Sequence, residues 1–379
     1  MTTAPTKTTA GTPPIEGACD PAFAVVREFL ADELGACGGV GGAAAVVVRG
    51  RTVADLWGGY RHEVRTIPWS RDTLVCLFSA GKPLAATAVL TLADDGLLDL
   101  DAPVTAFWPA FAQAGKDGIT IRQALAHLAG VPAALTAPLG AVYDREALAR
   151  ALEAQPPLWP PGSQGCFHSF TYGILAGEIV RRVSGLSFPD YFRQRLAMPA
   201  SLDLAFSLSA AEQARTADVI LVPENPLLRR MQDPGTLLGQ SWRPLAWDEL
   251  NTPAFRGCDF PSLAGHGSAL GLARFYGLLA QGGAPLLSTA MAKTAITEHW
   301  HHHDPFFGAP VRMGLGFMLA NDLLPLTGPG AFAQPGLGGV VGLGDAHSGL
   351  GLGITVNRLA AGIENPRLHW LLQEIARRL

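Results

Sequence analysis

The sequence predicts an α/β (α+β) protein of two lobes, and three observations carry that expectation. Its 379 residues exceed the size at which a single core usually stops growing. Strand-like apolar runs lie near both ends of the chain. The stretch between them is helical and rich in loops. On this reading residues 1–20 are a disordered tail, 21–75 and 287–379 form an α/β lobe, and 76–286 form a mostly helical lobe, with a site between the lobes.

In chain order, Met1 to Gly17 is polar, with Thr and Pro, and lacks the basic-then-apolar pattern of a signal segment. Pro21 to Leu34 has amphipathic helical spacing. Ala43 to Arg49 and Thr52 to Trp57 read as two short strands around an Arg-Gly-Arg turn. The apolar run Leu84 to Leu92 predicts a buried helix, with Pro83 tolerated near its start and Asp94-Asp95-Gly96 as its stop. Pro223-Glu224-Asn225-Pro226 and Trp242-Arg243-Pro244 predict long loops of the kind that surround active sites. Strands are expected near Leu315 to Leu319, Val340 to Leu343 and Leu350 to Val356, and a helix over Arg367 to Leu379 closes the chain. There is no internal repeat.

Composition excludes several classes. A net charge of −4 with only 16% charged residues supplies no basic field for nucleic acid. No run reaches the roughly 18 apolar residues of a membrane span, so no membrane association is expected. The five cysteines, Cys19, Cys37, Cys76, Cys166 and Cys258, are odd in number and have no C-x-x-C spacing. Free thiols and a cytoplasmic location follow as expectations.

The chemistry is concentrated in Ser79-Ala80-Gly81-Lys82. Residues three apart on a helix share a face, with Cβ atoms about 5–6 Å apart, so the lysine amine can reach the serine hydroxyl. A helix start and an apolar setting both disfavour an ammonium. Lys82 can then accept a proton, which makes Ser79 an activated nucleophile.

Around this pair stand Trp69-Ser70-Arg71-Asp72-Thr73-Leu74, Trp159-Pro160-Pro161-Gly162, Thr171-Tyr172-Gly173, Gly314-Leu315-Gly316-Phe317 and Gly336-Leu337-Gly338-Gly339. In their order and spacing these stretches resemble the serine hydrolases of the class C β-lactamase and β-lactamase-like esterase group, which also contains acyltransferases. The resemblance covers nearly everything after residue 20. It implies a β-lactamase/transpeptidase-like fold, an antiparallel sheet flanked by helices with a helical lobe inserted. It also implies an oxyanion hole formed by the backbone N–H groups of Ser79 and Leu337.

Two positions depart from the family pattern. Esterase relatives carry a tyrosine followed by histidine, the tyrosine moving the proton; here the pair is Phe167-His168. Phenylalanine cannot transfer a proton, and three substitutes stand open: His168, Tyr172 one turn on, or Lys82 alone or with water, the last being favoured. Where relatives place a lysine or histidine two residues before a glycine, this chain has Gln334, two before Gly336. Glutamine hydrogen-bonds but carries no charge, so an anionic substrate carboxylate is less favoured. Phe167, Gln334, Gly336 and His266 are the expected substrate-binding residues, with loop packing an equal alternative for His266.

Other motifs carry less. His299-Trp300-His301-His302-His303-Asp304 has ligand-type residues, but adjacent histidines point different ways, so a polar surface or cleft-rim loop is expected and no metal. His127 reads as a hydrogen-bonded core histidine. The glycines at 336, 338 and 339 lack the strand-to-helix setting of a nucleotide fingerprint, and no cofactor is expected. The expectation is therefore an acyl-enzyme on Ser79, formed with the ester or thioester of a small, largely apolar molecule. Hydrolysis is the first choice, acyl transfer to an alcohol or amine the second, and a catalytically silent binding protein of the same fold the third.

Overall fold

The structure, a computed structural model, describes residues 13–321, 324, 328–360 and 366–379. Its centre is a nine-stranded sheet in which every neighbouring pair is antiparallel. The strands are β1 (Ile15–Cys19), β2 (Gly41–Val48), β3 (Arg51–Gly59), β4 (Trp300–Asp304), β5 (Ala309–Met313), β6 (Met318–Leu319), β7 (Ala331–Pro335), β8 (Val341–Asp345) and β9 (Leu350–Val356). Their spatial order is β1-β3-β2-β9-β8-β7-β6-β5-β4. The two ends of the chain meet where β2 pairs with β9, Val46 opposite Leu352. The helices that matter for the site are α1 (Val25–Leu34), α2 (Lys82–Asp94), α3 (Thr171–Ser184), α4 (Ala269–Ala280) and α5 (Pro366–Ala376).

α1 covers one face of β2 and β3 and also packs on α5, while α4 crosses β2, β8 and β9 on the other face. The sequence of β9 explains how close α4 lies. A Cβ at Gly351 would stand 2.1 Å from the carbonyl oxygen of Ala273, and one at Gly353 2.1 Å from that of Ala269. The alternation Leu-Gly-Leu-Gly therefore turns glycines to the helix and leucines to the opposite face. A one-residue slip of register would drive leucines into the α4 backbone. Because α4 belongs to the sheet layers, the α/β lobe begins before residue 287, earlier than its expected boundary.

The inserted lobe is built around α2, whose residues Lys82 through Leu92 are all buried, with α3 packed beside it. Three expectations are corrected. Residues 15–19 are not disordered: they form the edge strand β1, paired with β3 from Ile15–Gly58 to Cys19–Ala54, and its mostly exposed side chains leave no apolar alternation to read. Residues 1–12 lie outside the described residues. The expected Pro-rich loops contain helices, Pro226–Gln232 capped by Asn225 and Leu237–Trp242 capped by Thr236; Asn-Pro there is an N-cap followed by a first-turn proline. The histidine run is an edge strand rather than a loop, with His301, His302 and His303 exposed along β4. Of the stretch at Leu315 to Leu319, only β6 is extended. All five cysteines are free thiols, and among the described residues no helix is long and apolar enough to cross a membrane.

Candidate active site

Ser79 sits in a 3-10 turn, Phe78–Gly81, that runs directly into α2. Phe78, fully buried, holds the left-handed φ of 47°, a conformation that costs a non-glycine residue energy and persists only where packing enforces it. The turn presents Ser79 at the start of α2, and Lys82 is the helix's first residue. Its amine Nζ lies 3.0 Å from Ser79 Oγ and 3.3 Å from the carbonyl oxygen of Ser262. The Phe167 ring closes over it, 4.8 Å from Nζ to the ring centroid. Lys82 is fully buried and has no carboxylate partner among the described residues. Burial alone therefore holds its pKa well below the 10.5 of a free lysine. A neutral amine here accepts the Ser79 O–H and donates to the Ser262 carbonyl.

Ser79 opens into a narrow cleft. One wall comes from the two helices of the Pro-rich segment, through Leu227, Met231 and Trp242; another comes from Phe167, Phe306 and Phe307. The remaining lining is Ser169, Gln334, Pro335, Gly336 and Leu337. Ser169 Oγ accepts the indole N–H of Trp242 at 2.8 Å. The end of β7 abuts the serine turn so closely that a Cβ at Gly336 would stand 2.4 Å from the Leu77 carbonyl oxygen. Next to these residues the Ala80 amide donates to Leu77 and the Gly336 amide to Val340, whereas the amides of Ser79 and Leu337 have no acceptor among the described residues.

The beta-lactamase family model matches residues 25–376. The chain belongs to the beta-lactamase family. It is 32% identical over 373 residues to the esterase/beta-lactamase LipL of Mycobacterium tuberculosis, covering 90% of this chain and 83% of the relative. A crystal structure of a family VIII carboxylesterase superposes with a TM-score of 0.88 at 34% identity, covering 97% of this chain and all (100%) of that one. A penicillin-binding protein homologue from Caulobacter crescentus gives a TM-score of 0.86 at 33% identity, over 97% and 100% of the two chains.

Within this beta-lactamase-family site, two proton relays expected from sequence do not assemble. His168 is fully buried, its Nδ1–H donates to the Cys166 carbonyl at 2.6 Å, and its Nε2 accepts the Val131 amide at 3.2 Å. Both nitrogens are spent on backbone, and burial pulls the pKa down to about 4. Tyr172 donates its hydroxyl to the Leu125 carbonyl at 3.2 Å and stacks on His127, and burial raises its pKa. His127 in turn accepts the His168 amide at Nδ1. His266 is also displaced from its expected role: it does not line the cleft, and its Nδ1–H donates to the Ala264 carbonyl at 2.9 Å within a small three-stranded sheet. Phe167, Gln334 and Gly336 do line the cleft. Among the described residues no cluster of side chains could hold a metal ion.

Sequence reasoning missed the apolar walls and Asp304. This carboxylate, fully buried, accepts the Phe167 amide at 2.8 Å through Oδ2 and the Phe306 and Phe307 amides at 2.7 and 3.4 Å through Oδ1. Burial pushes its pKa up to about 6, against the pull of these amides. The signal was the run Asp304-Pro305-Phe306-Phe307-Gly308, an aspartate ready to cap its own turn. It ties three phenylalanines of the cleft together. Asp304→Ala leaves the buried Phe167 amide and two half-buried turn amides without their acceptor, and we expect denaturant unfolding to register a loss of about 3 kcal/mol. A loss below about 1 kcal/mol would mean that the amides find other partners.

Proposed function

We propose that this chain is a serine esterase that carries the acyl group of a small, largely apolar ester on Ser79. The observation that supports this best is the buried, unpaired Lys82 amine 3.0 Å from Ser79 Oγ. Lys82 takes the hydroxyl proton as Oγ attacks the carbonyl, and the oxyanion is received by the Ser79 and Leu337 amides. The Lys82 ammonium returns that proton to the departing alkoxide. Water then attacks the acyl carbonyl and gives a proton to Lys82; the bond to Ser79 Oγ breaks, Lys82 returns the proton to Oγ, and the acid leaves with serine and neutral amine restored. Phe167 keeps bulk water from the amine, so the ammonium stays costly and the proton is readily given up. The esterase and carboxylesterase among the relatives support an ester as the bond cleaved.

Acyl transfer is the second reading, favoured by the cleft itself. Lys82 can take a proton from an alcohol as well as from water, and among the described residues the cleft lining is largely apolar, which suits an apolar alcohol as acceptor. The test is p-nitrophenyl butyrate turnover with and without added alcohol. Release of p-nitrophenol with butyrate as the sole product supports hydrolysis, and butyryl ester formed in water supports transfer. No turnover and no covalent labelling supports the silent binding protein instead.

The pH dependence tests the base. Catalysis needs the unprotonated amine, so kcat/KM rises with pH through the Lys82 ionisation and levels off above it. Since burial lowers that ionisation, the plateau is expected well below pH 10.5. A rising limb centred near 10.5 would argue against Lys82 as the base.

A further inference from the structure

Gln334 is the penultimate residue of β7, 1% exposed, and lines the same cleft as Ser79. Only one end of its amide is satisfied. Nε2 donates to the Pro335 carbonyl at 3.0 Å, whereas Oε1 is buried without any partner. This donation fixes the orientation, because the flipped amide would set one acceptor against another. A buried, correctly oriented acceptor at the wall of an otherwise apolar cleft calls for a donor that arrives with the substrate. Among the described residues no lysine, arginine or histidine lines the cleft, so a carboxylate on the substrate would meet no cation at this point.

We propose that Gln334 is a specificity-determining residue whose Oε1 accepts a hydrogen bond from a neutral N–H or O–H donor on the substrate. The preferred esters then carry an amide or hydroxyl a few bonds from the scissile carbonyl, and analogues bearing a carboxylate there are rejected. The inference rests on the esterase reading above and names the substrate class for that site. A site built around a hydrogen bond discriminates strongly against an isostere lacking the donor, since the isostere leaves the protein's buried group unpaired.

The test compares p-nitrophenyl esters of acetamido acids with two to four methylenes against keto acids in which the N–H is replaced by CH2. A parallel arm compares ω-hydroxy with ω-methyl acids. Each kcat/KM ratio is divided by the ratio of the hydroxide rates, which removes intrinsic reactivity. For wild type, at least one chain length is expected to favour the donor by tenfold or more, and the arm that shows it identifies N–H or O–H as the donor. In Gln334→Met, which keeps the shape and removes the acceptor, that ratio falls to within twofold of one; Gln334→Glu, which keeps an acceptor, retains a preference. Melting temperature and fluorophosphonate labelling of Ser79 report that each variant is folded. Turnover and labelling without any donor preference at any chain length would overturn the Gln334 role and leave the esterase reading standing. Absence of both turnover and labelling in the wild type would overturn the two together.

Discussion

Ser79→Ala is expected to lower kcat/KM for p-nitrophenyl butyrate by at least about 10⁴-fold, in line with the loss of a nucleophile in other serine enzymes. Among the described residues no second hydroxyl on the cleft compensates. Ser169, the other serine on the cleft, has its oxygen engaged by the Trp242 indole and no amine beside it. Because Ser79 is only half-buried and its side chain is bonded to Lys82 alone, removing Oγ should leave the melting temperature within a few degrees of wild type. Activity reduced by less than tenfold in a folded variant would place the nucleophile elsewhere.

Lys82→Met is the second large effect. General-base contributions run to about 10²–10⁴-fold, and the described residues offer no substitute within reach of Ser79, so a fall near the upper end is expected in kcat. Stability should move the other way or not at all, since methionine fills the volume without a polar head to desolvate. The sign of the pH effect follows from the lowered pKa. Between the folded-state pKa and 10.5 the unfolded chain binds a proton that the folded chain does not, so wild-type stability rises with pH across that window. Lys82→Met removes this slope. An unchanged slope would mean that the amine is charged in the folded protein.

What could be read from sequence depended on how local the cause was. Ser79 and Lys82 are joined by a single turn, and the apolar run behind them dictates α2, so their juxtaposition was legible. The pairing of β2 with β9 joins segments near opposite ends of the chain and has no local signal; the family resemblance implied only an antiparallel sheet. The strand itself was visible, but the reason for its glycines, the backbone of α4 lying on Gly351 and Gly353, was not, and this placed the lobe boundary too late. His168 illustrates the same limit. Its chemistry suits a relay, and only the folded positions of Val131 and Cys166 reveal both nitrogens to be occupied. Leu227, Met231 and Trp242 lie in a segment whose prolines suggested loops, so their role as a cleft wall was hidden behind capped short helices. Asp304 was obscured by the histidines before it, although its own turn signal was present.

On this proposal Ser79 is the nucleophile because a neutral Lys82 lies beside it. Labelling with a fluorophosphonate probe, followed by peptide mass spectrometry and a rate comparison across variants, tests it most directly. The expected result is a single modified residue, Ser79, no modification in Ser79→Ala, and labelling of Lys82→Met slowed by about 10²-fold or more. Modification of any other residue, or labelling of Lys82→Met at the wild-type rate, would contradict it.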